Sequence, residues 1–248
     1  FQSLMGLSRN YDYASPEAYP VPAGTLQEMT YSRASTAFQL WAPTAQRVEL
    51  RLYHTATGGR AARTVQMKRS TDGTWHATVK GDMDGMFYTF NVRYQGKWLG
   101  ENPGINARAV GVGGTRGAVI DLRDTDPEGW CCDQAPKCND IVVYEMHHRD
   151  FSISPTSGID HKGRFMALTE HGTTTPGGQP TGIDHLRDLG VTHVHILPSY
   201  DYFTVDESRP DLPQYNWGYD PLNYNVPEGS YSTDAKDPKA RIREFKEM

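Results

Sequence analysis

The stretch Tyr215-Asn216-Trp217-Gly218-Tyr219-Asp220-Pro221 sets three aromatic rings beside an amide and a carboxylate. Flat rings stack on the apolar faces of sugar rings, and carboxylates and amides bind hydroxyls. Gly218 separates Trp217 from Tyr219, and Pro221 closes the run. A loop of this composition is built to hold a glucose unit, which makes Tyr219, Asp220, Asn216, Trp217 and Tyr215 the candidate binding residues. The competing account is structural. Tyr219 would then be a packed loop aromatic, Asp220 a turn residue before proline, and Trp217 and Tyr215 either cleft wall or packing beneath the loop.

Other groups could also carry chemistry. Tyr144, Glu145, His147, Arg149 and Asp150 follow the apolar run Ile141-Val-Val. At strand spacing Tyr144 and Met146 share one face and Glu145 and His147 the other. A buried Arg149–Asp150 or Glu145–Arg149 network is the expected role there. His147, His148 and Asp150 imitate a metal cluster, but with no distant ligands in view no metal is assigned. His193 and His195 alternate on a second apolar run, which suggests core or inter-helix hydrogen bonding. Asp201, Asp206 and Glu207 tempt a general acid/base reading. Further upstream, Trp41 is expected in the core, with Trp75 and Trp98 as better surface candidates.

These residues need elements to position them. Residues 35–122 read as antiparallel β: Phe38–Trp41, Val48–Tyr53, Thr74–Val79 and Met86–Tyr94 alternate or are rich in aromatic and β-branched residues. Thr57-Gly-Gly59, Thr71-Asp-Gly73, Gly81-Asp82 and Gln95-Gly96 supply the turns between them. The spacing predicts a sandwich, with Val119–Leu122 as its last strand. Residues 1–34 stand as an N-terminal extension, and the polar segment 123–139 as the join to a second domain. From 140 the pattern becomes strand, helix, strand. Ile141–Tyr144 reads as a buried parallel strand and residues 182–189 as a helix ended by Gly190. Val191–Leu197 is the next buried strand. Asp237 caps a further helix with Pro238 near its first turn, and Ile242 and Phe245 face the core.

Composition narrows the classes. The chain has 248 residues, is 37% hydrophobic and carries a net charge of −5 without a basic block, which argues against nucleic acid as partner. No apolar run approaches the ~18 residues that span a membrane. Cys131, Cys132 and Cys138 are too few and too clustered for a disulfide framework; one local bridge from Cys138, or free thiols on the join, are the alternatives.

Four stretches together resemble type I pullulanases of the α-amylase superfamily, glycoside hydrolase family 13. Phe38-Gln-Leu-Trp-Ala-Pro43, with Gly100-Glu-Asn-Pro-Gly104 and Asn106-Ala-Arg-Ala-Val-Gly111, is similar to the family-48 carbohydrate-binding module that precedes the barrel. Val143–Ser152 is similar to the first barrel strand, residues 182–198 to the first helix and second strand, and Tyr215–Pro221 to the family signature. Two positions depart from the pattern: His148 stands where an aliphatic residue is common, and Gly113-Gly114 where Asn-Gly is frequent.

The resemblance implies a β-sandwich followed, in 140–248, by the start of a (β/α)8 barrel, whose full form takes ~250 residues. It implies hydrolysis of α-1,6 linkages in pullulan and branched α-glucans by a retaining double displacement between carboxyls ~5 Å apart. Tyr219 would stack on the sugar before the cut bond and Asp220 would accept its hydroxyls. Asp201, Asp206 and Glu207 would serve loop structure or outer subsites. The nucleophile, acid/base and stabilising carboxylates of the family belong to strands four, five and seven, so none is nominated here. The expectation is a piece of a longer polypeptide, inactive alone, whose partners are an α-glucan and the remainder of the enzyme. No cofactor is expected. The location leans to secreted or periplasmic, because polymer substrates favour export, although short dextrins are debranched inside cells. A carbohydrate-binding fragment without catalysis is the alternative of another class, and a related branching enzyme the alternative within the superfamily.

Overall fold

Alternation at period two organises the first part of the chain. The computed structural model describes residues 19–131 and 140–248. It resolves two compact units, one of residues up to Asp121 together with Leu222–Asn225, the other of Leu122–Pro221 and Val226–Met248.

In the first unit the strands are β1 (Met29–Tyr31), β2 (Ser35–Trp41), β3 (Arg47–Tyr53), β4 (Arg63–Gln66), β5 (Lys68–Arg69), β6 (Thr74–Lys80), β7 (Phe87–Tyr94), β8 (Lys97–Asn102) and β9 (Gly117–Ala118). They form an antiparallel sheet in the order β1-β2-β6-β5 and another in the order β4-β3-β7-β8, with β9 also on β7. Every second residue of β3, Val48, Leu50 and Leu52, is buried, as the alternation requires. They join Phe38, Val79, Tyr88, Phe90 and Val92 in one core. Phe38 meets Tyr88 edge-on at 5.2 Å, and Tyr88 meets Phe90 at 5.6 Å. This is the antiparallel β-sandwich that the sequence predicts.

The two tryptophans of β2 and β6 trade their expected places. Trp75 is buried, its Nε1 donating to the Ala42 carbonyl at 2.9 Å, whereas Trp41 is partly exposed and donates to the Pro20 carbonyl. The register explains the exchange. Leu40 pairs with Trp75 and Trp41 with Thr74, so the two rings stand on opposite faces of the sheet. Trp98 on β8 is exposed, as read. The expected last strand is also displaced. The ladder ends at Ala118, and Leu122–Thr125 is a 3-10 turn in which Thr125 Oγ1 donates to the Leu122 carbonyl at 2.6 Å.

In the second unit the elements are β10 (Val143–Met146), α1 (Gly182–Asp188), β11 (His193–Ile196), β12 (Tyr200–Tyr202), β13 (Pro221–Pro227, its middle residues grouping with the first unit) and α2 (Pro238–Glu247). β10 and β11 pair in parallel, Val143 opposite His193 and Met146 opposite Ile196. The Asp237 side chain caps α2, accepting from Lys239 N at 2.8 Å, and Pro238 opens the helix. Among the described residues β10 and β11 pair only with each other. Their apolar run is therefore open rather than buried: Ile141 is 61% and Val143 57% exposed, and only Met146 is fully covered. Residues 122–126 lie against α2, where Lys239 Nζ meets Asp124 at 2.7 Å and Lys246 Nζ meets Thr125 Oγ1 at 2.8 Å. Cys131 is exposed, and the cysteine alternatives, which involve Cys132 and Cys138, lie outside the described residues.

Glu28 marks a pH dependence within the first unit. Its carboxylate is buried, accepts from Asn106 N at 2.8 Å, and is pushed up to about 7, mainly by burial. A carboxyl whose folded pKa exceeds its unfolded value binds more protons when folded, so stability falls as pH rises between the two values. From about pH 4.5 to 7 this group should remove on the order of 3 kcal/mol. Thermal melting of the wild type and of Glu28→Gln across that window should show the difference between them changing with this sign. Parallel pH profiles would contradict it.

Candidate functional site

Asn216 laces the aromatic loop together. Its Nδ2 donates to Asp220 Oδ1 at 2.7 Å and to Thr204 Oγ1 at 2.9 Å, while its Oδ1 accepts from Gly218 N at 2.6 Å. Its backbone carbonyl accepts from His147 Nε2 at 2.7 Å. Asp220 Oδ2 accepts from the Thr204 backbone N–H at 3.1 Å and hydroxyl at 2.6 Å. Gly218 turns the chain at φ +92°, where a Cβ would run into the Pro198 carbonyl oxygen. Only glycine meets both conditions. The side chains most suited to bonding are thus spent inside the loop, and the rings are turned out.

Trp217, Tyr219 and Tyr215 are 62%, 68% and 52% exposed. With Thr204, Asn216 and Asp220 they line a wide, shallow depression of about 520 Å³. Tyr215 also lies 4.9 Å from the His147 ring at 33°, which fixes one wall. His147 is buried, and its Nδ1 accepts from Asp150 N at 3.3 Å. With Nε2 donating to Asn216, the Nε2–H tautomer follows. All five sequence candidates therefore come together. Asp220 makes three bonds within the loop and keeps one lone-pair direction for an outside donor.

The neighbouring candidates arrange themselves differently from the expectation. Glu145 pairs with His195, Oε2 to Nδ1 at 3.0 Å, rather than with Arg149, because the parallel register sets residue 145 opposite residue 195. His193 and His195 are exposed, as the open sheet leaves them. Arg149 and Asp150 are 3.5 Å apart, and the Asp150 side chain is half exposed instead of buried. His148 sits between Phe165 at 5.1 Å and Tyr231 at 4.8 Å with no hydrogen bond to either ring nitrogen. Burial lowers its pKa to about 4, outweighing the nearby Arg164 carbonyl, so the ring is neutral at physiological pH.

Asp201 and Glu207 belong to a cluster that the sequence reading missed. Arg241 on α2 is fully buried and meets Glu207 through two bonds, 2.8 and 3.0 Å, and Asp201 at 3.2 Å. Glu228 completes the group of three carboxylates lying within 4.8 Å of one another, a grouping that could also hold a metal ion. Here the cation among them is the guanidinium. Burial, then the neighbouring Glu207, pushes Glu228 up to about 7. Gly229 leaves room for the pair, because a Cβ there would displace the ends of the Glu207 and Arg241 side chains. The available signal was a charge at 241 beside the inward-facing Ile242; Phe245, also expected to face the core, is 40% exposed and meets Phe165 edge-on at 5.3 Å.

The comparisons bear on these two units. The family model for Carbohydrate-binding module 48 (Isoamylase N-terminal domain) matches residues 26–106. A pullulanase of Bacillus subtilis is 40% identical over 220 residues, covering 88% of this chain and 30% of its own length. The crystal structure of apo pullulanase from Paenibacillus barengoltzii superposes with a TM-score of 0.91 at 49% identity, over 98% of this chain and 38% of that one. A pullulanase from an Anoxybacillus species, complexed with maltotetraose, superposes with a TM-score of 0.85 at 41% identity, over 93% of this chain and 33% of that one. The resemblance read from the sequence is therefore shown. The chain spans about a third of the length of these relatives.

Removing the Asn216 donors should loosen the loop in a way that reveals the charge. Asn216→Asp places a second carboxylate beside Asp220 and should destabilise by about 1–3 kcal/mol more than Asn216→Ala at neutral pH. The gap should narrow below about pH 4, where one carboxyl holds a proton and can donate. Melting temperatures of the two variants across pH measure this, and a pH-independent gap would contradict it.

Proposed function

We propose, for a chain with a family-48 module and a pullulanase-like sequence along nearly its whole length, a part in the hydrolysis of α-1,6-glucosidic linkages in pullulan and branched α-glucans. In this reading residues 35–122 are the carbohydrate-binding module, and residues 140–248 begin the (β/α)8 catalytic barrel. The remainder of the enzyme supplies the carboxylates for a retaining double displacement. The observation that carries the reading is the loop at 215–220, with its polar groups consumed internally and its rings turned outward.

Tyr219 is assigned the stacking face at the reacting sugar. Trp217 and Tyr215 are assigned the walls, and Asn216 holds them in place. Asp220 both anchors the loop and uses its remaining lone pair on a sugar hydroxyl. Ring stacking of this kind contributes apolar burial on one sugar face while the hydroxyl rim stays wet. The relatives' names, and the maltotetraose in the Anoxybacillus structure, support an α-glucan as the ligand class.

Two measurements test this. Calorimetric titration of the chain with maltotriose should show binding that Tyr219→Ala weakens by about 1–3 kcal/mol. In the whole enzyme the same change should lower kcat more than it raises KM, since contacts at the reacting sugar tighten in the transition state. Kinetics unchanged by Tyr219→Ala would remove the role. The matched module and the exposed rings also support a second reading, a carbohydrate-binding fragment without catalysis. Reducing-sugar release from pullulan by the whole polypeptide separates the two: a debranching enzyme releases it, a binding fragment does not, and the isolated chain is expected to release none in either case.

A further inference from the structure

Asn216 also lines a different kind of space, a cavity of about 280 Å³ within the second unit. Arg149, Lys162 and Arg164 line it, together with Asn216 and Tyr231. Three cations at one cavity stand out in a chain whose net charge is −5. The carboxylate at the rim, Asp211, is already held by Arg209 through two bonds at 3.1 and 3.0 Å.

The cations have few countercharges of their own. Among the described residues no carboxylate lies within ion-pair distance of Arg164 or Lys162, and Arg149 has only Asp150, at 3.5 Å. Arg164 Nη1 is spent on two backbone carbonyls, of Ser230 and, at 2.9 Å, Ser232. Glu244 acts on Arg164 only through space, and burial outweighs it, lowering the pKa of the guanidinium. Lys162 Nζ donates to the Ile159 carbonyl. Each group therefore keeps N–H donors that the protein does not use. A half-buried guanidinium that meets carbonyls and no carboxylate carries a desolvation cost that an anion would offset.

We propose that this cavity is an anion site for a phosphoryl group, either as free phosphate or as a monoester carried by an α-glucan. A tetrahedral dianion offers several acceptors to the donors that two guanidinium forks and an ammonium bring to one cavity. Asn216 lines both the cavity and the ring-lined depression, so a sugar bearing a phosphate would reach the two from one loop. The carrier, not the anion, rests on the glucan reading above.

The test is titration calorimetry of the chain at low salt with inorganic phosphate, with a maltooligosaccharide phosphorylated at a 6-hydroxyl, and with neutral maltotriose. Phosphate is expected to bind, and Lys162→Gln and Arg149→Gln are each expected to weaken it about tenfold, the effect of one charge-assisted bond. Lys162→Gln should leave maltotriose binding unchanged. Arg164→Gln also removes two bonds to the fold, so the other two variants carry the test. Phosphorylated oligosaccharide binding more tightly than phosphate identifies the glucan as the carrier; equal binding identifies free phosphate. Absence of phosphate binding, or binding indifferent to both variants, overturns the site. Loss of maltotriose binding alone would fall on the glucan reading and leave the anion site standing.

Discussion

A single buried guanidinium organises the second unit. Arg241 has no exposed surface, and its partners Asp201, Glu207 and the carbonyls of Pro227 and Ala235 come from four separate stretches of chain. Taking a charge out of water costs several kcal/mol, and a buried pair returns that only with good geometry and further hydrogen bonds. Five bonds through Nη1 and Nη2 meet these conditions here, while the buried Nε has no partner. Glu207 is engaged end-on by Nη1 and Nη2, and its Oε1 also accepts from Gly229 N at 2.8 Å. Glu228 is tied down by the Tyr202 N–H at 2.7 Å. The arrangement holds the end of β12 at Asp201 and Tyr202 and the turn after β13 at Glu228 and Gly229. The aromatic loop and the cationic cavity are both framed by that scaffold.

Much of the first unit was legible because burial there follows the side-chain period. Val48, Leu50 and Leu52 declare their face through spacing alone, and the glycine-rich turns mark where each strand ends. The sequence does not reveal which of two faces a lone aromatic takes, because that depends on a distant partner. Trp41 and Trp75 were misplaced for this reason, their orientation being set by the pairing of β2 with β6. The end of the sandwich was misjudged for a local reason. Val119 and Ile120 are as buried as strand residues, yet the chain turns into a 3-10 turn at Leu122 rather than continuing a ladder.

The site shows the same division. The loop's composition suggested a surface for a sugar, and the five residues do line one depression. The division of labour among them was hidden. Asp220 read as a ligand to hydroxyls, but most of its capacity holds Thr204 and Asn216. His147 read as part of a strand-end network and instead supports the loop from beneath through the Asn216 carbonyl. Arg241 and its carboxylates, 13 to 40 residues apart along the chain, could not be joined by any local pattern.

The positive φ at Gly218 has a thermodynamic consequence. The backbone reversal there and the bonds radiating from Asn216 set the spacing of Trp217 and Tyr219 before any ligand arrives. Each ring then has only its two side-chain torsions left to settle, and the ordering entropy of the segment is met during folding instead of at association. A weak stacking contact on such a platform keeps most of its intrinsic favourability, so an open, shallow surface can hold a flexible, strongly hydrated polymer.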